Sequence, residues 1–156
     1  MKILFLPFTV LYRIYFALVF FAVLTLLYPI FWILLLSPKN FSRVFKLKVF
    51  TARVILFFDF IFLVQQKNKP ELNSGPYVVC ANHSSYLDII LMYRILPHTK
   101  FLFIGKSELL KWPVINIFFK KIDIAVDRKK RNSAMRSIIR AQEELAKGWS
   151  IIIFPE

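Results

Sequence analysis

The seven residues Asn82-His83-Ser84-Ser85-Tyr86-Leu87-Asp88 hold the chain's clearest capacity for chemistry. An imidazole titrates near neutrality, so His83 can accept a proton and return it within one reaction. Asp88 follows five residues later, a spacing that does not stack two side chains on successive turns of one helix. A sharp bend between them would fold the carboxylate back onto one ring nitrogen, fixing the tautomer and leaving the other nitrogen as a general base. This is the orienting part of a Ser-His-Asp arrangement without a nucleophile from the protein, and it suits deprotonation of a hydroxyl supplied by a substrate. The same residues support a purely structural reading. Ser85-x-x-Asp88 is a helix-start signal, with the ionised carboxylate favoured by the helix dipole. Spacing alone leaves both readings open.

The flanking residues must supply the frame. Tyr77-Val78-Val79-Cys80-Ala81 is a continuous apolar run that predicts a buried strand, with Cys80 as an inert core thiol. Residues 88–96 predict a helix, so the histidine and the carboxylate fall where a strand gives way to a helix. Strand and helix signals then alternate. Strands are expected at residues 100–104, 122–126 and 150–154. Helical segments are expected at 107–111 and at 113–120, the latter with Pro113 at a permissive start. A longer helix is expected at 133–147, capped by Asn132, stopped by Gly148 and buried along Ala134, Ile138, Ala141 and Leu145. Alternation of this kind predicts an α/β layer structure.

Asn-His-x-x-x-x-Asp at 82–88 resembles the first motif of the glycerophospholipid acyltransferases, the family of 1-acyl-glycerol-3-phosphate (lysophosphatidic acid) acyltransferases. Further pieces agree in order. Phe103-Ile104-Gly105-Lys106-Ser107-Glu108-Leu109, followed by Trp112-Pro113, looks like the family's lysine-containing segment. Ile122-Asp123-Ile124-Ala125-Val126-Asp127-Arg128 looks like its second motif, with Asp123 and Ala125 interrupting the usual glycine-and-apolar approach to Asp-Arg. Ile153-Phe154-Pro155-Glu156 looks like the start of its third, Phe-Pro-Glu-Gly-Thr-Arg. The resemblance implies that His83 and Asp88 do the proton chemistry, supported by Asn82 and Ser84. It implies that Arg128 holds the acceptor's phosphate and that Glu156 contacts the glycerol phosphate. Lys106 is a further candidate for substrate phosphate, and Asp127 reads as structural. It also implies an incomplete domain, cut within the third motif of a longer protein.

Composition agrees with a lipid-facing role. The chain has 156 residues, a net charge of +13 and 58% hydrophobic residues, Phe alone numbering 18. That is too apolar for an ordinary soluble domain. Basic and apolar together read as a protein at an anionic membrane surface rather than a nucleic-acid binder. One cysteine excludes an internal disulfide. Residues 14–36 carry no charge, a run of about 23 that is long enough to span a bilayer. Residues 41–64 mix Arg43, Lys46, Lys48 and Arg53 with apolar residues, and Asp59 interrupts their apolar core. They read as an interfacial helix with its cations toward headgroups. Residues 1–69 are thus expected to form a membrane-docking helical hairpin, with a polar linker over 65–76 and an acyltransferase-like domain over 70–156.

Basic residues crowd after the first apolar run, at Lys39, Arg43, Lys46, Lys48, Arg53, Lys67 and Lys69, against Lys2 and Arg13 before it. This bias places the catalytic part on the cytoplasmic face of the membrane. Lys129, Lys130 and Arg131 read as solvated surface. His83 and His98 have no ligand-like spacing, so no metal or other cofactor is expected. The expected partners are anionic membrane lipids, a lysophospholipid acceptor and an acyl-CoA or acyl carrier protein donor. The alternatives are another lysolipid acceptor, or a non-catalytic basic membrane-anchored fragment.

Overall fold

A computed structural model describes residues 6–63 and 75–155, residues 6 and 7 by backbone alone. The expected domain boundary near residue 69 and the candidate Glu156 lie outside the described residues. Four strands, β1 (Val78–Cys80), β2 (Phe101–Lys106), β3 (Ile124–Val126) and β4 (Ser150–Ile153), form one sheet in the order β1-β4-β2-β3. Every pairing is parallel. Parallel neighbours need crossover connections, supplied here by α3 (Leu87–Ile95), α4 (Asn116–Lys121) and α5 (Arg131–Ala146). In the central strands Phe101, Leu102 and Phe103 are all buried. Since successive side chains point to opposite faces, both faces of the sheet are covered.

Two further helices complete the core. α1 (Leu6–Leu34) runs antiparallel to α2 (Phe41–Phe58), because Tyr12 and Tyr15 donate hydrogen bonds to the carbonyls of Asp59 and Phe58. Its segment Phe8–Leu34 is long and apolar enough to cross a membrane and is largely unburied. Leu24, Phe31 and Leu35 nevertheless turn inward, and the Phe31 ring meets Phe118 of α4 edge-on at 4.9 Å.

The structure corrects the interfacial reading of α2 on one face. Arg43, Lys46 and Arg53 are exposed, alternating with exposed Phe50 and Phe57. Lys48 is not: it is 8% exposed, and its ammonium lies 2.6 Å from the buried Asp123 carboxylate and over the Phe118 ring. Asp123 also accepts the Phe103 backbone N–H. Phe45 of α2 packs on Tyr93, Phe101 and Trp149. One face of α2 is therefore core, and the residue that interrupts the second motif is its anchor.

Other expectations are corrected by local geometry. β1 lies at the edge of the sheet, so Cys80 is exposed rather than buried. Pro113 does not start a helix; Val114 takes a left-handed conformation at φ 64°, strained for a β-branched residue, and α4 begins only at Asn116. Residues 107–111 form a tighter 3-10 turn. α5 starts one residue before Asn132, which provides no cap, and its buried residues are Ser137 and Ala141 while Ile138 is 54% exposed. Ser137 is drawn inward because its hydroxyl donates to the carbonyls of Ser133 and Ala125, fastening α5 to β3.

Two outcomes are expected in unfolding followed by tryptophan fluorescence in mild detergent. Lys48→Met leaves Asp123 buried without its partner and should cost about 3–5 kcal/mol, part of it recovered by adding Asp123→Asn. A cost below about 1 kcal/mol would place the pair in solvent. Asp59 is 1% exposed and its carboxylate oxygens have no partner among the described residues. Burial pushes its carboxyl up from the ordinary 3.8 to about 6. Folding thus favours the protonated acid: that stability is whole below about pH 4 and is lost as pH rises through about 6. The loss should be on the order of 3 kcal/mol and be absent from Asp59→Asn. An identical pH profile in both proteins would refute it.

Candidate active site

The carboxyl ends of parallel strands share one edge of a sheet, and ligands commonly bind outside that edge. His83 follows the end of β1, Phe154 the end of β4, and Arg128 the end of β3, while Lys106 is the last residue of β2. The strand register sets them side by side: Cys80 lies opposite Ile153, and Lys106 opposite Val126.

The bend between β1 and α3 brings Nδ1 of His83 to 3.3 Å from Oδ2 of Asp88, the two side chains being 29% and 24% exposed. The same oxygen accepts the backbone N–H groups of Ser84 at 2.8 Å and Ser85 at 2.9 Å. The Ser85 hydroxyl accepts the Leu87 N–H. One half of the Ser-x-x-Asp signal, the carboxylate on the Ser85 N–H, thus coexists with the contact to the imidazole, while the Ser85 hydroxyl bonds Leu87 rather than Asp88. The carboxylate closes the first turn of α3 and is held by that turn against the imidazole. With Nδ1 directed at a carboxylate, Nε2 is the nitrogen free to act as a base.

Phe154 ties the edge together. The His83 ring stacks on it with centroids 4.5 Å apart, and Phe154 in turn stacks on Phe103 in the core. Nη2 of Arg128 donates to the Phe154 carbonyl at 3.3 Å. A guanidinium and an imidazole thus approach the same residue from two strands. From the sequence Phe154 is only a member of the third motif and of an expected strand, with no role assigned; β4 in fact ends one residue before it. The exposed aromatic pair Tyr86 and Trp112, 6.4 Å between centroids, joins the β1–α3 connection to the β2–α4 connection and was also missed.

The remaining candidates take distinct places. Asn82 and Ser84 are exposed in the loop, and only Ser84, through its N–H, contacts Asp88. Asp127 is structural in its contacts: Oδ1 accepts the Lys129 N–H, and the Asp127 N–H is taken by the Ser133 hydroxyl. Lys106 is exposed at the end of β2. Beside it, Gly105 is required by packing, since a Cβ there would lie 2.7 Å from the Phe119 ring.

Comparison with known proteins agrees with this geometry. Residues 61–156 match the family model described as Acyltransferase. A 1-acyl-sn-glycerol-3-phosphate acyltransferase from Neisseria gonorrhoeae is 33% identical over 88 residues, which is 56% of this chain and 33% of the relative. Its namesake from Neisseria meningitidis serogroup B gives the same figures. One from Chlamydomonas reinhardtii is 28% identical over 95 residues, covering 60% of this chain and 28% of the relative. The chain spans about a third of the length of the curated relatives it matches. No solved structure gives a significant match.

Nitrogen-15 NMR of the imidazoles tests the orienting contact. Neutral His83 should carry its proton on Nδ1, and Asp88→Ala should shift it toward the Nε2–H form while costing about 1 kcal/mol through the lost cap. A native His83 already in the Nε2–H form would contradict the assignment.

Proposed function

The chain belongs to the acyltransferase family, and on that premise we propose that it moves a fatty acyl group from a thioester donor to the free hydroxyl of 1-acyl-glycerol-3-phosphate, giving phosphatidic acid. The observation that carries this reading is the His83–Asp88 contact on the sheet edge that also holds Arg128. The activity for which the relatives are named supports the choice of acceptor.

In this mechanism Nε2 of His83 takes the acceptor's hydroxyl proton as its oxygen attacks the thioester carbonyl. The tetrahedral intermediate collapses, the carbon–sulfur bond breaks, and the imidazolium returns the proton to the departing thiolate. Asp88 stabilises the imidazolium while it exists. The products are an ester and a free thiol, with no acyl-enzyme between them. Arg128 holds the acceptor's phosphate through its planar fork. Lys106 and Glu156 complete the acceptor site. The donor is an acyl-CoA or an acyl carrier protein.

The exposed apolar surface of α1, with the Arg43, Lys46, Phe50, Arg53 and Phe57 face of α2, supports docking at an anionic membrane. The acceptor would then meet His83 at headgroup level, on the cytoplasmic side.

Reconstituted in lipid vesicles, His83→Ala should lower transfer of labelled acyl groups to lysophosphatidic acid by about a hundredfold or more. Arg128→Ala should raise the acceptor's KM by about tenfold or more with little change in the donor's. Undiminished turnover in the first variant, or a donor-specific defect in the second, would overturn the respective role.

A further inference from the structure

Beyond the catalytic edge, the outer side of β3 and the start of α5 enclose an open cleft of about 670 Å³. Lys130, Arg131, Arg136 and Arg140 line it, Ile124 and Ala125 form an apolar part of its wall, and no carboxylate lines it. Arg140 is fixed in place by donating to the Ile122 carbonyl. Lys130 lies 3.8 Å from Asp127, a loose pairing with a carboxylate already engaged by the Lys129 N–H. No ion pair or hydrogen bond occupies the side chains of Arg131 and Arg136 among the described residues. Cations gathered on a concave surface without counter-charge focus a positive potential into it. Of these, Lys130 and Arg131 read from the sequence as solvated surface.

The shape and the lining narrow the ligand. A concave cleft suits a small anion better than a flat surface of protein or lipid. Four cations exceed what one phosphate monoester needs, and three of them are guanidinium forks suited to phosphate oxygens. Ala125, partly exposed beside the buried Ile124, offers a small apolar contact to a planar base. The chain leads from the carboxyl edge into the cleft: Arg128 reaches Phe154 beside His83, and Lys130 and Arg131 follow within the next three residues.

We infer that this cleft binds the phosphorylated nucleotide end of an acyl-CoA donor, leaving its thioester arm to cross the β3 edge to His83. The inference rests on the acyl-transfer reading for what the donor is. It assigns Lys130, Arg131 and Arg136 to donor binding, apart from the acceptor phosphate at Arg128.

The test uses the whole chain, with Arg131→Gln and Arg136→Gln combined; both side chains are exposed, so folding should survive, as circular dichroism would show. Calorimetry should give a CoA dissociation constant raised about tenfold or more, a smaller effect on dephospho-CoA, and none on pantetheine. The KM for acyl-CoA should rise by the same factor, with kcat and the acceptor's KM unchanged. Unaltered CoA affinity in the double variant overturns the inference. So does a variant that loses adsorption to phosphatidylglycerol vesicles while still binding CoA normally, because the cations would then serve a membrane surface. If the native chain binds CoA through these arginines but transfers no acyl group, the site stands and the acyl-transfer reading falls. If transfer from acyl-CoA is undiminished in the variant, the reading stands and the site falls.

Discussion

All four strands point the same way, and most of the molecule follows from that constraint. A parallel sheet collects the carboxyl ends of its strands on one edge, so His83, Phe154, Lys106 and Arg128 become neighbours despite their separation in the chain. The same constraint forces long crossovers and demands cover on both faces. α2 supplies part of that cover, and the Lys48–Asp123 pair fastens it from inside. A buried ion pair adds little net stability over an apolar contact, but it penalises every arrangement that separates its partners. Its value here is to fix where α2 sits on the sheet.

At the carboxyl edge of the sheet, economy of contacts does the positioning. One oxygen of Asp88 accepts the N–H groups at the entry to α3 and faces the imidazole. An imidazole held by a helix start moves only if that start unravels, so local stability and the orientation of His83 are coupled through a single carboxylate. The imidazole is supported from the other side by Phe154, which continues through Phe103 into the aromatic core around Tyr93, Phe101 and Phe45. Orientation thus comes from α3 on one side and the core on the other.

The first two helices divide their surfaces differently. α1 leaves most of its apolar length exposed and commits mainly Leu24 and Phe31 to the core, joined by Leu35 just past its end. α2 buries one face in the fold and shows cations and phenylalanines on the other. Apolar surface of this extent is not stable against water without a covering phase or partner. The helix that bears it is also tied to the sheet domain through Phe118, so its exposed apolar length is held close to the strands.

The sequence by itself determined which residue types are available for chemistry, the order of the motifs that belong to the acyltransferase family, and the strand–helix alternation. It did so because these are local properties: an apolar run, a proton-accepting ring, a Ser-x-x-Asp start. The tertiary structure alone decided what each face meets. Lys48 reads as one more headgroup cation until Asp123, 75 residues away, claims it. Cys80 reads as buried until β1 proves to be an edge strand, and Ile138 reads as core until Ser137 bonds to Ala125 and turns α5. Periodicity gives an element two faces, but which of them is inside depends on neighbours that the chain reaches only by crossing the sheet. The meeting of Arg128 with Phe154 beneath His83 is of that kind, because it exists only once β4 is inserted between β1 and β2.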